Sequence, residues 1–294
     1  MIKHLNQLFF GVWAYKTVGT ETPAVMENYK VEYTSTTTET TDETTGETTT
    51  TTTNSWEYKN VNGQSLKYWD KQATSYGFYA YAPYTASTSV VDITDDYKIT
   101  IAEGEYAATE NLQEDAWGTT LNTKKFSTDT DWMIADAVPA YQNYGSEDTE
   151  LFRHTMSKLI VILKSKDVAN DVEVEVISVS VNEVHGKGKY DGTKWIATDD
   201  AKSIGGEVGE FASTAGYYSM EYLLIPSSDS PTFSITYTVN GDTYTVSEAE
   251  IEQITEFAGN TCYTLTATIG LSPIEFTATA EDFETKTTGS KDID

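Results

Sequence analysis

Apolar and polar residues alternate with a period of two along much of the chain. Val172-Glu173-Val174-Glu175-Val176-Ile177-Ser178-Val179-Ser180-Val181 is the clearest run. Such alternation predicts a strand with one buried face. Phe233–Val239 and Asp242–Val246 repeat the pattern on either side of Asn240-Gly241. Asn-Gly between two such runs predicts a hairpin, because a type I′ turn needs positive φ twice. Lys189–Trp195, around Asp191-Gly192, predicts a second hairpin of the same kind. Leu8–Lys16 is apolar almost throughout, as in a strand buried on both faces. Tyr76–Ala82 predicts a strand that stops at Pro83, which cannot continue a ladder. Helical signal is confined to Ser247–Ile254, where Ser247 and Glu250 have capping-box spacing. Many short strands separated by turns point to an all-β protein built of sandwiches.

Residues 34–53 stand apart, being almost entirely Thr and Glu. They offer no apolar side chain whose burial would offset the entropy of ordering. They are expected to form a long disordered loop between strands near Asn28–Tyr33 and Trp56–Tyr58. A polar, turn-rich stretch from Ala140 to Thr149 predicts a boundary between two domains, 1–145 and 146–294.

Charge narrows the partners. Forty-six acidic residues face 19 basic ones, a net charge of −27, and Arg153 is the single arginine. That field repels nucleic acid and anionic lipid. One arginine cannot build the guanidinium clusters that capture phosphate. The single cysteine, Cys262, excludes an intrachain disulfide and reads as a small strand residue. The apolar run Leu159–Leu163 is too short to span a bilayer, so no transmembrane segment is expected. Met1–Phe10 lacks the long apolar stretch and cleavage site of a complete signal peptide.

No catalytic constellation is apparent. His154 reads as a packed strand histidine, and His185, before Gly186, as a solvated turn residue. Asp92, Asp95 and Asp96, and Asp129, Asp131 and Asp136, are acidic clusters without the calcium-loop pattern. No enzyme, cofactor or metal site is expected. Trp56, Tyr58, Tyr68 and Trp69 concentrate aromatic surface near residues 56–81. They are candidate ligand-contacting residues, a sugar platform, with core packing as the alternative.

Several segments together resemble the fimbrillin-like proteins, the type V pilins of Bacteroidales. Leu66-Lys67-Tyr68-Trp69-Asp70 followed by Tyr76–Tyr84 resembles their YW…Y-x-F-Y-A-Y-x-P signature. Asp131–Ala135 resembles the segment closing their first domain, and Leu151–Leu159 the entry to the second. Phe257–Leu265 and Ile274–Ala278 resemble their last strands. The resemblance implies two tandem transthyretin-like Greek-key β-sandwiches in a surface fimbria at the outer membrane. It implies assembly with other pilin subunits by donor-strand exchange, and adhesion to a host or bacterial surface ligand.

On that reading Leu8, Phe10, Val12, Trp13, Ala14 and Tyr15 belong to a removable first strand. Ile274, Phe276 and Phe283 belong to a C-terminal assembly strand. The tail after Phe276 is mostly polar, and no arginine precedes Arg153 to guide the arginine-directed maturation known in the family. A secreted carbohydrate-binding or adhesin module, or a structural protein of another assembly such as a phage particle, are the alternatives.

Overall fold

The computed structural model describes residues 9–41, 45–46, 48–58, 63–114, 120–124, 131–135, 138–141, 152–165, 174–207, 217–270 and 273–283. Among the described residues there is no α-helix, and no helix long and apolar enough to cross a membrane. The protein is all-β.

The strands in chain order begin with β1 (Phe9–Thr17), β2 (Ala24–Thr41), β3 (Thr48–Glu57), β4 (Ser75–Ala82), β5 (Val91–Ile93), β6 (Ile99–Glu105) and β7 (Ala108–Glu114). Then come β8 (Thr120–Lys124), β9 (Met133–Ala135), β10 (Val138–Tyr141), β11 (Phe152–His154), β12 (Ser157–Ser165), β13 (Val174–Val184) and β14 (Lys187–Tyr190). The last are β15 (Trp195–Ala197), β16 (Lys202–Glu207), β17 (Tyr217–Leu224), β18 (Thr232–Val239), β19 (Asp242–Glu250), β20 (Thr261–Ile269) and β21 (Glu275–Asp282).

Two compact units result. The first comprises Met1–Thr88, Ile134–Phe152 and Thr287–Asp294, and the second Ser89–Met133 and Arg153–Lys286. This division differs from the expected 1–145 and 146–294. The reason is strand pairing: β6 pairs with β14 and β7 with β17, so strands expected in the first sandwich belong to the second unit. Residues 142–150, at the expected boundary, lie outside the described residues.

In the first unit β4, β1, β2 and β3 lie side by side, all antiparallel, and β10 pairs with β4. The expected loop at 34–53 is corrected here. Much of it is strand, with ten consecutive pairs from Glu32↔Glu57 to Thr41↔Thr48. Apolar burial does not hold this hairpin, since nearly all of its distal side chains are exposed. Backbone ladder bonds and Thr–Thr cross-strand pairs do, and threonine favours the extended chain.

The second unit holds three sheets, ordered β21-β20-β12-β17-β7-β8, β16-β13-β18-β19 and β15-β14-β6-β5. The inward residues of the first two interlock as a sandwich core, with Leu159, Val161 and Leu265 against Val176, Val181 and Ile235. The alternation from Val174 onward places Val174, Val176, Val179, Val181 and Val184 in that core, with register shifts after Val176 and Val181 that break the period of two. The pair β12–β20 is parallel, which demands a long crossover.

The Asn240-Gly241 hairpin forms as expected, with φ of 49° and 86° at its two turn residues. The second hairpin has a four-residue loop rather than two, since Tyr190 pairs with Trp195. Asp191 Oδ1 accepts hydrogen bonds from Thr193 and Lys194, which sets that loop. The helix expected at Ser247–Ile254 is a correction. Thr232↔Glu250 pairing carries β19 through Glu250, and tertiary pairing overrides the local capping signal.

Candidate assembly strands and aromatic groove

β1 occupies the middle of its sheet. Gly11, Val12 and Ala14 pair with Lys30, Tyr29 and Met26 on one side and with Tyr81, Ala80 and Phe78 on the other. Phe10, Val12, Trp13 and Ala14 are buried and Tyr15 is half-buried, so both faces of the strand are covered. Leu8 lies outside the described residues. Trp13 stacks on Tyr81 at 5.3 Å, while Phe10 meets Trp56 at 5.2 Å and Phe152 at 5.3 Å.

Tyr81 crosses directly over Gly11, where a Cβ would fall 2.1 Å from its ring. Its hydroxyl lies 2.8 Å from both Asn28 Oδ1 and the Thr85 carbonyl. Burial raises the Tyr81 pKa well above the ordinary phenol value. Each large apolar side chain buried here contributes about 1.5–3 kcal/mol. Loss of β1 would therefore forfeit several such terms and leave β2 and β4 with unpaired backbone.

β21 sits at the opposite extreme, as the edge strand of its sheet, paired only with β20 among the described residues. Phe276, Ala278 and Ile274 are partly buried against the core, and the alternate positions carry Thr and Glu. Phe283 closes the strand. It is buried, its N–H donates to the Asn260 carbonyl at 2.8 Å, and its ring stacks on His154 at 3.8 Å. His154 Nδ1 lies 2.9 Å from Asp131 Oδ1, so this nitrogen carries the proton. The other ring nitrogen, Nε2, has no hydrogen-bond partner among the described residues.

Val25, Met26, Tyr58, Lys67, Tyr68, Trp69, Tyr76 and Phe78 line a groove of about 250 Å³ on the first unit. Its outer wall is a loop of unusual exposure, with Tyr68 80%, Trp69 53% and Leu66 39% accessible. The loop is pinned. Gln64 bonds to both backbone groups of Lys30 and to the Tyr58 carbonyl. The Tyr58 hydroxyl meets the backbone of Lys67, and Asp70 pairs with Lys16 at 2.7 Å. The Lys16 ammonium holds the Asp70 carboxyl below its usual range. Of the four aromatics the sequence groups, Tyr58, Tyr68 and Trp69 line the groove. Trp56 does not; it packs between Phe10 and Tyr33. Nothing in the sequence marks Gln64 as the residue that fastens the loop.

The profile of the fimbrillin-like family matches residues 6–282. The chain belongs to the fimbrillin-like family. That family consists of structural fimbrial subunits rather than enzymes. The fold is similar to that of a candidate cell adhesion protein from Bacteroides uniformis, with 18% identity and a TM-score of 0.56. That match covers 95% of this chain and 92% of the other. A candidate cell adhesion protein from Bacteroides ovatus matches at 15% identity and a TM-score of 0.54, covering 96% and 89%. No curated protein matches the sequence.

His185, expected in solvent, is buried in a staple. Its Nε2 lies 2.7 Å from Asp229 Oδ2 and its Nδ1 2.9 Å from the Asp199 carbonyl. Burial opposes its charge, but the Asp229 hydrogen bond and the Asp199 carbonyl outweigh it, and the His185 pKa is raised. Asp229 lies 44 residues away, which hides the staple from sequence inspection. Asp96 of the first acidic cluster pairs with Lys98. Asp129 and Asp136 of the second lie outside the described residues. Among the described residues no three metal-binding side chains converge. Cys262 is buried on β20.

Proposed function

We propose that this protein is a subunit of a cell-surface fimbria that polymerises by strand exchange, with β1 surrendered and Ile274–Phe283 donated to another subunit. The observation that carries the reading is the placement of β1. It is a central strand, buried on both faces, so its departure exposes an apolar trough between two unpaired edges. Such a trough is satisfied by a strand from elsewhere. The exposed turn Gly19–Pro23 follows β1 and offers a protease the access that the paired residue Lys16 lacks. At the other end β21 is an edge strand, so its release breaks one ladder only. Its apolar side chains lie on one face, whereas β1 is apolar on both.

The test is to install a specific protease site in the Gly19–Pro23 turn of the full chain. After cleavage, a labelled peptide of residues 272–294 is added. The reading expects binding after the cut, none before it, and competition by a peptide of residues 9–17. A cut protein that ignores the peptide, or that unfolds with it present, contradicts the reading.

A second role, adhesion, is favoured by Tyr68 and Trp69, which a pinned loop presents to solvent at little entropic cost on binding. The occupant we propose is a host or bacterial surface ligand. Trp69→Ala and Tyr68→Ala are expected to abolish cell or glycan binding while leaving thermal unfolding nearly unchanged. Unchanged binding by both variants would remove the groove from the account.

A further inference from the structure

The free edge of β3 is the feature that strand exchange leaves unexplained. β3 ends the sheet order β4-β1-β2-β3, so one side of it pairs with β2 and the other with nothing among the described residues. Natural edge strands are usually blunted by charge, proline, a bulge or brevity. Thr48-Thr49-Thr50-Thr51-Thr52-Thr53-Asn54-Ser55-Trp56 carries no charge, proline or glycine. Its ladder with β2 runs through ten pairs without a register shift. All side chains from Thr48 to Asn54 are exposed. A two-stranded hairpin with no buried face is marginal in water, and further strands are what stabilise such ribbons.

We infer that this edge pairs antiparallel with β3 of a second copy of the chain, extending the hairpin into a four-stranded seam across a two-fold axis. Three observations choose a copy over another partner. Antiparallel pairing of Thr48–Asn54 centred on Thr51 sets threonine against threonine at all but its two terminal Thr–Asn pairs. The molecule already makes such pairs between β2 and β3, with Oγ1 atoms 3.3 Å apart for Thr37 and Thr52 and 3.0 Å for Thr41 and Thr48. In a protein of net charge −27, this seam also places no carboxylate directly opposite another. The contact is short, below the area of an ordinary stable interface, so association is weak. Salt screens the repulsion between the two molecules and strengthens it.

The test uses the full chain. Sedimentation equilibrium is measured over a range of protein and sodium chloride concentrations. Single cysteines are then placed at each position from Thr49 to Thr53 and oxidised gently, with Thr38→Cys as the control. Thr38 is equally exposed but lies on β2, opposite Thr51. Cys262 is buried, which keeps the background low. A two-fold seam makes one residue face its own copy. The expected result is a salt-strengthened dimer, with one position in the scan forming disulfide dimer several-fold above its neighbours and the control.

A protein that stays monomeric at every concentration and salt overturns the inference. So does a dimer whose cross-linking across positions 49–53 never exceeds that of Thr38→Cys, since it would use another surface. Polymer formed through β1 exchange is told apart by the same scan, because it places no two copies of β3 together. Thermal unfolding of each variant confirms that the fold is intact.

Discussion

At the residue scale, two positions concentrate the constraints. Gly11 has no Cβ because Tyr81 occupies that space. Gly11→Ala is expected to cost about 1–3 kcal/mol in urea unfolding, the usual price of forcing a methyl into a packed core. An unchanged midpoint would mean that Tyr81 moves aside freely.

His185 gives a pH signature. Its folded pKa lies above the ordinary 6.5, so its contribution is fully present below that pH. The contribution is lost as pH rises through the folded value. Urea unfolding should therefore show this share of stability falling from mildly acid to alkaline pH, and His185→Gln should flatten the dependence. Asp229 works in the opposite sense. Its pKa is lowered by His185, so its share is lost as pH falls through the folded carboxyl value. A variant whose pH profile matches the wild type would contradict the staple. Neither position is legible in the sequence, because Tyr81 and Asp229 reach these residues only through tertiary packing.

At the element scale, strands with an apolar pattern were legible and strands without one were not. Tyr76–Ala82 and the Asn240-Gly241 hairpin could be read because burial and turn chemistry leave a local trace. The Thr-rich hairpin could not, because its order comes from a partner strand rather than from burial. The capping signal at Ser247 misleads for the same reason, since β18 captures Ser247–Glu250 as the end of a strand and the chain turns after it. Likewise the β1 pattern was plain, whereas the groove depends on Gln64 and Lys30, which no motif connects.

The fastening of β21 belongs to this scale. Phe283 holds its end through the stack on His154 and the bond to Asn260. Phe283→Ala is expected to cost about 3–5 kcal/mol, the usual range for truncating a buried phenylalanine. It should also raise hydrogen exchange across Glu275–Asp282. Unaltered exchange there would show that β20 alone retains the strand.

At the scale of the whole molecule, self-repulsion and assembly oppose each other. A net charge of −27 destabilises any compact state, so added salt at low ionic strength should raise the thermal midpoint. A falling midpoint would mean that the exposed ion pairs outweigh the net charge. The same repulsion keeps separate copies apart until a buried, apolar contact overrides it. On this account the trough left by β1 provides that contact, and the edge of β3 adds a weaker, polar one made of ladder bonds and threonine pairs.

The most direct test of the account is the size of the 294-residue chain before and after a single cut in the Gly19–Pro23 turn, followed by analytical ultracentrifugation and mass spectrometry. The account expects the N-terminal fragment to leave and long polymers to grow, with the Ile274–Phe283 segment protected from exchange in a neighbour. A cut protein that keeps its fragment and its original size would contradict it.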